Sequence, residues 1–307
     1  MTSGQADETI VVTGASGLLG SHLVALLPRS VPNSRIITIT RHRNPAAAIG
    51  DAEVLFGDLR DKRTWAQIPR GVTRIVHLAA MIPWKSEDRH RETVITDNVT
   101  PIENLVEQSA NLPSLKQIVY SSSVAVYSPS RDWLNESSPT EPATLYGMAK
   151  LRGESLLAGL DGEGITVTSL RLSSLYAAGQ YQGTVLPLMV NRARQRQPLF
   201  VFGDGARTQD FLHCEDAARA ILLAFQKRMP GVYNVGTGRA TTMSELAQTV
   251  RTVFADRSLE IVFQPEKAEN DPGIRLDIHK ARRELNYKPM ISLEKGLHIL
   301  KQDLNNG

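Results

Sequence analysis

A turn with regularly spaced glycines near the start of the chain limits its fold more than any other feature. Residues 9–13 form a β-branched run, three glycines follow at intervals of three residues, and an apolar helical pattern continues from there. Glycines at this spacing allow a tight turn, a close approach of the backbone to a diphosphate, and close packing of helix on strand. We therefore predict a dinucleotide-binding turn rather than a purely structural one. Its predicted cofactor contacts are Gly14, Ser16, Gly17, Leu18, Leu19 and Gly20.

Strand-like and helical patterns alternate through the first half of the chain. Apolar runs at residues 35–40, 52–59, 73–81 and 117–120 are typical of buried strands. The alternation predicts an α/β fold with a doubly wound Rossmann-type parallel sheet over residues 1–175. A smaller C-terminal α/β substrate domain is predicted over residues 176–307, with the chain free to cross back. Its predicted helices are 184–195, 215–226, 243–254 and 293–304, and its predicted strands are 199–202, 232–235 and 259–263.

The end of the second predicted strand bears on the choice of cofactor. NAD-binding proteins of this kind place an acidic residue there to hold the adenosine ribose, whereas this chain has Arg41 and Arg43. Guanidinium groups suit a ribose 2′-phosphate. The sequence therefore favours NADP over NAD, and solvated loop arginines are the alternative.

The ends of the third and fourth predicted strands supply further cofactor contacts. Asp58, followed by Leu59, is placed to accept a hydrogen bond from the adenine amino group, or else to cap a helix over residues 62–67. Small residues are expected where the cofactor ribose passes close to the backbone. His77, inside the fourth apolar run, is predicted to be a packed core residue. The contacts predicted after it are Leu78, Ala79 and Ala80, and Asn98 is predicted to fix a neighbouring loop or, through water, the active-site lysine.

A tyrosine and a lysine four residues apart indicate a proton-transfer site. If residues 143–157 are helical, Tyr146 and Lys150 share one face, and a nearby ammonium lowers the pKa of a phenol. A packed tyrosine beside an exposed lysine is the alternative. Ser123, last of three serines after the fifth strand, is a candidate donor to a substrate oxygen, although the serines also suit a polar strand end.

Taken together, these motifs resemble extended short-chain dehydrogenases/reductases of the NAD(P)-dependent epimerase/dehydratase group. The resemblance implies that Tyr146 is the general acid/base, that Lys150 tunes the pKa of Tyr146 and binds the nicotinamide ribose, and that Ser123 donates to the substrate oxygen. It also implies a homodimer, with Ser173 at the cofactor and Met81, Ser174, Arg207 and Gln209 at the substrate. The motifs are Thr13-Gly14-x-x-Gly17-x-x-Gly20, Gly57-Asp58, His77-Leu78-Ala79-Ala80, Ser121-Ser122-Ser123-x-x-Val126-Tyr127, Tyr146-x-x-x-Lys150, and, further along, Gly203-Asp204-Gly205, Asp210-Phe211-Leu212-His213-x-x-Asp216 and Tyr233-Asn234-Val235-Gly236.

Departures from the family pattern concern the substrate. Two arginines that bind the diphosphate in nucleotide-sugar epimerases are replaced by Gln209 and Asp271, with Arg207 or Arg275 as candidate substitutes. Sugar 4,6-dehydratases carry an Asp-Glu pair after the catalytic hydroxyl, whereas this chain has Val124 and Ala125. We therefore expect a reductase or epimerase of a nucleotide-linked sugar, and not a 4,6-dehydratase. The alternatives are a reductase of a non-nucleotide ketone or sugar acid and a non-catalytic NADP-binding regulatory protein.

Composition excludes several other classes of protein. A net charge of +3 over 307 residues gives no support for nucleic-acid binding. One cysteine, Cys214, excludes an internal disulfide and indicates a cytoplasmic setting, and it has no ligand partner at metal-site spacing. We predict neither a bound metal nor a membrane span, and a small molecule as the substrate.

Overall fold

The computed structural model describes residues 8–41, 52–84, 88–180, 183–255, 258–267 and 271–306. Its largest element is a seven-stranded sheet in which all neighbouring strands are parallel, in the order β12-β7-β5-β4-β1-β2-β3. Its strands are β1 (Glu8–Thr13), β2 (Ser34–Thr40), β3 (Glu53–Phe56), β4 (Arg74–His77), β5 (Gln117–Ser123), β7 (Thr166–Leu172) and β12 (Gly231–Val235). The predicted α/β class with a Rossmann-type sheet is confirmed.

Helices cover both faces of this sheet because the apolar residues of the strands point to both sides. Counting those of the later, smaller layer, the helices of the described residues are α1 (Leu18–Ser30), α2 (Lys62–Trp65), α3 (Thr93–Ser109), α4 (Leu145–Ala158), α5 (Val185–Arg194), α6 (Cys214–Lys227), α7 (Met243–Phe254), α8 (His279–Glu284) and α9 (Leu293–Asn306). One core cluster joins α1 and α6 to the sheet, and a second packs beneath α3 on the other face. The strand order reverses beside β1, where parallel sheets of this kind form a crevice at the carboxyl ends of their strands.

The later part of the chain builds a smaller layer beside this crevice. Two-stranded pairs form it: β8 (Ser174–Tyr176) with β11 (Phe211–His213), β9 (Leu199–Phe202) with β14 (Ile261–Gln264), β10 (Thr208–Gln209) with β13 (Thr241–Thr242), and β6 (Trp133–Leu134) with β15 (Arg275–Leu276). A third core cluster joins α5, α7 and α9. Strand β12 lies in the large sheet although it follows residue 175. The domain division at residue 175 stays a proposal.

Most predicted elements differ from the observed ones only at their ends. The helix predicted over 184–195 is Val185–Arg194, and the strand predicted over 259–263 is Ile261–Gln264. The pair β6 and β15 was not predicted, since each has two residues and its partner lies far away in the chain. Across the residues that the model describes, no helix has the length and apolar character needed to cross a bilayer.

Candidate active site

A cavity of about 690 Å³ opens at the carboxyl ends of the sheet strands. One wall is the glycine turn after β1, and the opposite wall comes from the segments around β10 and Gly273. Residues from both parts of the chain therefore meet at one site. The cavity is large enough for a dinucleotide or a drug-sized ligand.

The glycine turn has the shape that the sequence predicts. Gly14 has φ +71°, and a Cβ there would lie 2.6 Å from the backbone nitrogen of Ala79. A Cβ on Gly20 would lie 2.1 Å from the Gly14 carbonyl oxygen, so α1 packs on the turn only because this residue is glycine. The six predicted contacts of the turn, Gly14, Ser16, Gly17, Leu18, Leu19 and Gly20, all line the cavity at the amino end of α1. This backbone cradle fits a diphosphate.

Asp58, which follows β3, forms an ion pair with Arg60, an arginine that was not predicted at the site. Arg60 Nη2 lies 2.7 Å from Asp58 Oδ2, and its Nη1 lies 2.7 Å from Asp97 Oδ1. The hydrogen bond from Arg60 lowers the pKa of Asp58. The alternative that Asp58 caps α2 is wrong, because Asp61 is the residue whose side chain accepts from the first turn. Asp58 and Leu59 line the cavity, as does the exposed Arg41, while Arg43 lies outside the described residues.

The end of β4 lines the cavity with Leu78, Ala79, Ala80 and Met81. Asn98 does not line this wall, and its role as a cofactor contact stays a prediction. Its side chain accepts a hydrogen bond from Met81 N at 3.0 Å and donates to Met81 O at 2.9 Å. The amide is therefore used to fix the loop after β4, one of the two roles that the sequence leaves open.

His77 lies in the core, where burial lowers its pKa to about 3. Its Nδ1 hydrogen-bonds the hydroxyl of Thr13 at 3.0 Å. A neutral, hydrogen-bonded histidine inside the sheet is a packing residue, in agreement with the interpretation from the sequence.

Ser123, Tyr146 and Lys150 line the middle of the cavity together. Thr144 caps α4, and the first turns of this helix carry both the phenol and the ammonium. Lys150 Nζ lies 5.7 Å from the centre of the Tyr146 ring and donates to the Ser121 carbonyl at 2.7 Å. The Ser123 hydroxyl accepts a hydrogen bond from Ala125 N at 3.1 Å and lies close enough to Tyr146 to influence the pKa of its phenol. The alternative of an exposed lysine does not hold, because Lys150 is 2% exposed.

The pKa values at this site are set mainly by burial. Burial raises the pKa of Tyr146 well above its usual value, and the nearby Ser123 hydroxyl opposes this rise. The net shift in the pKa of Tyr146 is therefore upward, opposite to the lowering that was expected from a neighbouring ammonium. Burial also lowers the pKa of Lys150 to about 7, against the raising effect of Glu154. The phenol is thus protonated at neutral pH, the form that donates a proton.

A buried network behind the site was not predicted. Ser122 donates its hydroxyl hydrogen to Glu154, which is one turn beyond Lys150 on α4. Arg171 on β7 binds the same carboxylate and donates to Tyr127 Oη at 2.8 Å. The three serines at the end of β5 therefore have separate partners: the Ser121 carbonyl accepts from Lys150, Ser122 donates to Glu154, and Ser123 accepts from Ala125 N. Tyr146-x-x-x-Lys150-x-x-x-Glu154 was a visible signal, since its residues share one helix face.

The predicted substrate residues form a connected group at the other end of the cavity. Gln209 donates to the Ser174 hydroxyl, and Arg207 Nη1 donates to Gln209 Oε1 at 3.4 Å. Arg207 Nε also lies 3.0 Å from Asp271 Oδ2, so the candidate cation faces a carboxylate. Beside them, Ser173 donates to Asp210 at 3.1 Å and lines the cavity.

Apolar side chains of the loop after β4 were missed from the sequence. Ile82 and Trp84 line the cavity and are 38% and 40% exposed. Their positions directly after a strand that ends at the crevice were the available signal.

Comparison with known proteins agrees with this architecture. Residues 10–236 match the family model described as the NAD dependent epimerase/dehydratase family. A candidate UDP-glucose 4-epimerase of Methanocaldococcus jannaschii is 30% identical, over 94% of this chain and 95% of that protein.

Two solved structures have the same fold over almost their whole length. The UDP-glucose 4-epimerase of Thermotoga maritima, solved with UDP-glucose, has a TM-score of 0.84 at 25% identity and covers 97% of this chain and 99% of its own. A dTDP-glucose 4,6-dehydratase of Streptomyces venezuelae, solved with NAD, has a TM-score of 0.84 at 26% identity, with 97% of both chains covered. The glycine cradle, the Tyr146 and Lys150 pair and these likenesses agree, and the chain belongs to the NAD-dependent epimerase/dehydratase family.

Proposed function

We propose that the protein is an NAD(P)-dependent oxidoreductase or epimerase that acts on a nucleotide-linked sugar or keto-sugar. The observation that carries this proposal is that Ser123, Tyr146 and Lys150 share one cavity with the glycine turn. A regulatory protein that only binds a dinucleotide has no need of this set. The nucleotide-sugar part draws support from the UDP-glucose and dTDP-glucose enzymes that the chain resembles.

The glycine turn would hold the cofactor diphosphate, and the end of β4 would line its ribose. When bound, the nicotinamide exchanges a hydride with the carbon that bears the substrate oxygen. Ser123 would donate a hydrogen bond to that oxygen. Tyr146 would give its phenolic proton to a carbonyl as it becomes a hydroxyl and would take it back in the reverse direction. Lys150 would bind the nicotinamide ribose and stabilise the phenolate left behind.

A 4,6-dehydratase activity is not part of the proposal. Loss of water from the sugar requires a further acid and base near the substrate, and the two residues after Ser123 on the cavity wall are Val124 and Ala125. Neither side chain can carry a proton. On the family resemblance we also propose a homodimer, and the single buried thiol of Cys214 suits a reducing cytoplasm.

The test is a screen of UDP- and dTDP-linked sugars and keto-sugars for NAD(P)H turnover and for epimer formation. Tyr146→Phe removes the transferable proton and is expected to lower turnover by about a hundredfold or more while leaving cofactor affinity nearly intact. Tyr233→Phe is the control, because it likewise removes one phenolic hydroxyl, from a buried tyrosine that does not line the cavity. Turnover of Tyr146→Phe within about threefold of the parent would remove this residue from the mechanism.

A further inference from the structure

The described cations of the cavity wall are distributed along its length. Arg41 and Arg60 lie at the end that contains Asp58, and Lys150 lies in the middle, bound to the Ser121 carbonyl. Arg207 is contributed by the opposite wall, where the later part of the chain closes the cavity. An anionic group attached to the substrate beyond the reacting carbon would therefore meet Arg207.

Asp271 already holds this arginine. Its Oδ2 lies 3.0 Å from Arg207 Nε, and its Oδ1 accepts a hydrogen bond from Gly273 N at 2.8 Å. One carboxylate oxygen is thus fixed by the backbone while the other faces the guanidinium. The two charges cancel at the place where an anion would bind.

Backbone contacts hold the segments that bear Arg207 and Asp271 side by side. Residue 273 forms a parallel bridge with Thr208, the neighbour of Arg207, and a Cβ on Gly273 would lie 1.8 Å from the Thr208 carbonyl oxygen. Gly273 also has φ +86°, which favours glycine. Because the segments pack this closely, the backbone that bears Asp271 stays beside Arg207, and only a change at the side chains can separate the two charges.

The pair is nevertheless open to competition from a ligand. The Arg207 and Asp271 side chains are 32% and 34% exposed, and both line the cavity. Partly exposed ion pairs are weak, whereas a diphosphate offers several oxygens and a larger charge to one guanidinium. A ligand phosphate can therefore replace the carboxylate as the partner of Arg207, while Asp271 opposes this exchange by competing for the same guanidinium.

We propose that Asp271 is a specificity-determining residue that acts as a competing counter-ion for Arg207, so that the diphosphate of the substrate binds by displacing it. This inference rests on the proposed nucleotide-sugar function. It predicts that the native protein binds nucleoside diphosphates more weakly than its own arginine would allow.

Calorimetry with UDP and dTDP on the NADH-loaded protein tests the inference. Asp271→Asn keeps an oxygen for Gly273 N but removes the charge, so we expect about tenfold tighter binding of both nucleotides. Arg207→Ala should weaken binding by about tenfold or more, and adding Asp271→Asn to it should restore little, because the two residues act on one contact. Asp204→Asn is the matched control. It removes a carboxylate three residues from Arg207 that does not line the cavity, and it should change affinity by less than about twofold.

Three results would overturn the inference. Unchanged or weaker binding by Asp271→Asn, with nucleotides still bound by the parent, would reject the role of Asp271 and leave the proposed function standing. Tightening of the same size in the Arg207→Ala background would show a general charge effect and not competition for Arg207. No binding of UDP or dTDP by any variant that still binds NADH would reject the inference together with the nucleotide-sugar function.

Discussion

Glu154 and Arg171 form an ion pair inside the protein, directly behind the candidate proton-transfer site. Arg171 Nε and Nη2 donate to the two carboxylate oxygens of Glu154 at 3.0 and 2.7 Å. The Glu154 side chain is 7% exposed and the Arg171 side chain is 5% exposed. Ser122 adds a third hydrogen bond to the same carboxylate. The ion pair therefore ties α4, which carries Tyr146, to β7, and the Ser122 hydrogen bond ties α4 to the end of β5.

The first prediction concerns the stability that depends on this pair. Glu154→Ala leaves the Arg171 charge buried without its partner, so the free energy of unfolding should fall by about 3–5 kcal/mol. The double change Glu154→Leu, Arg171→Met removes both charges and should cost less than the sum of Glu154→Leu and Arg171→Met made singly. Urea denaturation of the parent, these three variants and Glu154→Ala measures the differences. Strictly additive losses would mean that the two side chains are not energetically coupled.

The buried ammonium of Lys150 should make stability depend on pH. The unfolded chain keeps this proton up to the ordinary pKa of 10.5, whereas the folded protein releases it near 7. Between these values the unfolded state binds more protons, so the free energy of unfolding rises with pH, by at most about 1.4 kcal/mol per pH unit. Burial of Tyr146 acts in the opposite direction, but only near and above pH 10, where the phenol ionises in the unfolded chain.

Urea denaturation between pH 7 and 9.5 tests this prediction. Lys150→Met should remove the rise, while Lys116→Met, a change at an exposed lysine, should retain it. If the free energy of unfolding still rises with pH in Lys150→Met, the rise belongs to other groups. A fall with pH in the parent protein would contradict the lowered pKa of Lys150.

The features predicted successfully from the sequence are those encoded by short spacings. Gly14, Gly17 and Gly20 lie within one turn and helix, so their spacing alone fixes the cradle. Tyr146 and Lys150 are one helical turn apart, and their meeting requires only that α4 be a helix. Local patterns of this kind specify the strands and helices, and the parallel order of the sheet follows from their alternation.

The features that were missed depend on contacts between distant segments. Arg207 and Asp271 are 64 residues apart, and their pairing follows from the bridge between residues 208 and 273. No local sequence pattern predicts that bridge. Arg60 meets Asp97 across 37 residues. The pKa of Tyr146 was predicted with the wrong sign because spacing reveals a neighbouring cation, whereas burial depends on the complete fold.

The last prediction concerns the choice between NADP and NAD. Arg60 forms ion pairs with both Asp58 and Asp97, so its charge is already neutralised. Binding of a ribose 2′-phosphate should therefore rely on the arginines that follow β2. Arg41 lines the cavity on this side. Because a charge-assisted hydrogen bond is worth about 1.5–3 kcal/mol, the change Arg41→Ala, Arg43→Ala should weaken NADPH binding by about tenfold or more and barely affect NADH. Fluorescence titration with both cofactors measures this, and Arg35→Ala, an exposed arginine paired with Glu53 away from the cavity, is the control. Equal losses for the two cofactors, or a preference of the parent protein for NADH, would mean that Arg41 and Arg43 are solvated charges and that the protein uses NAD.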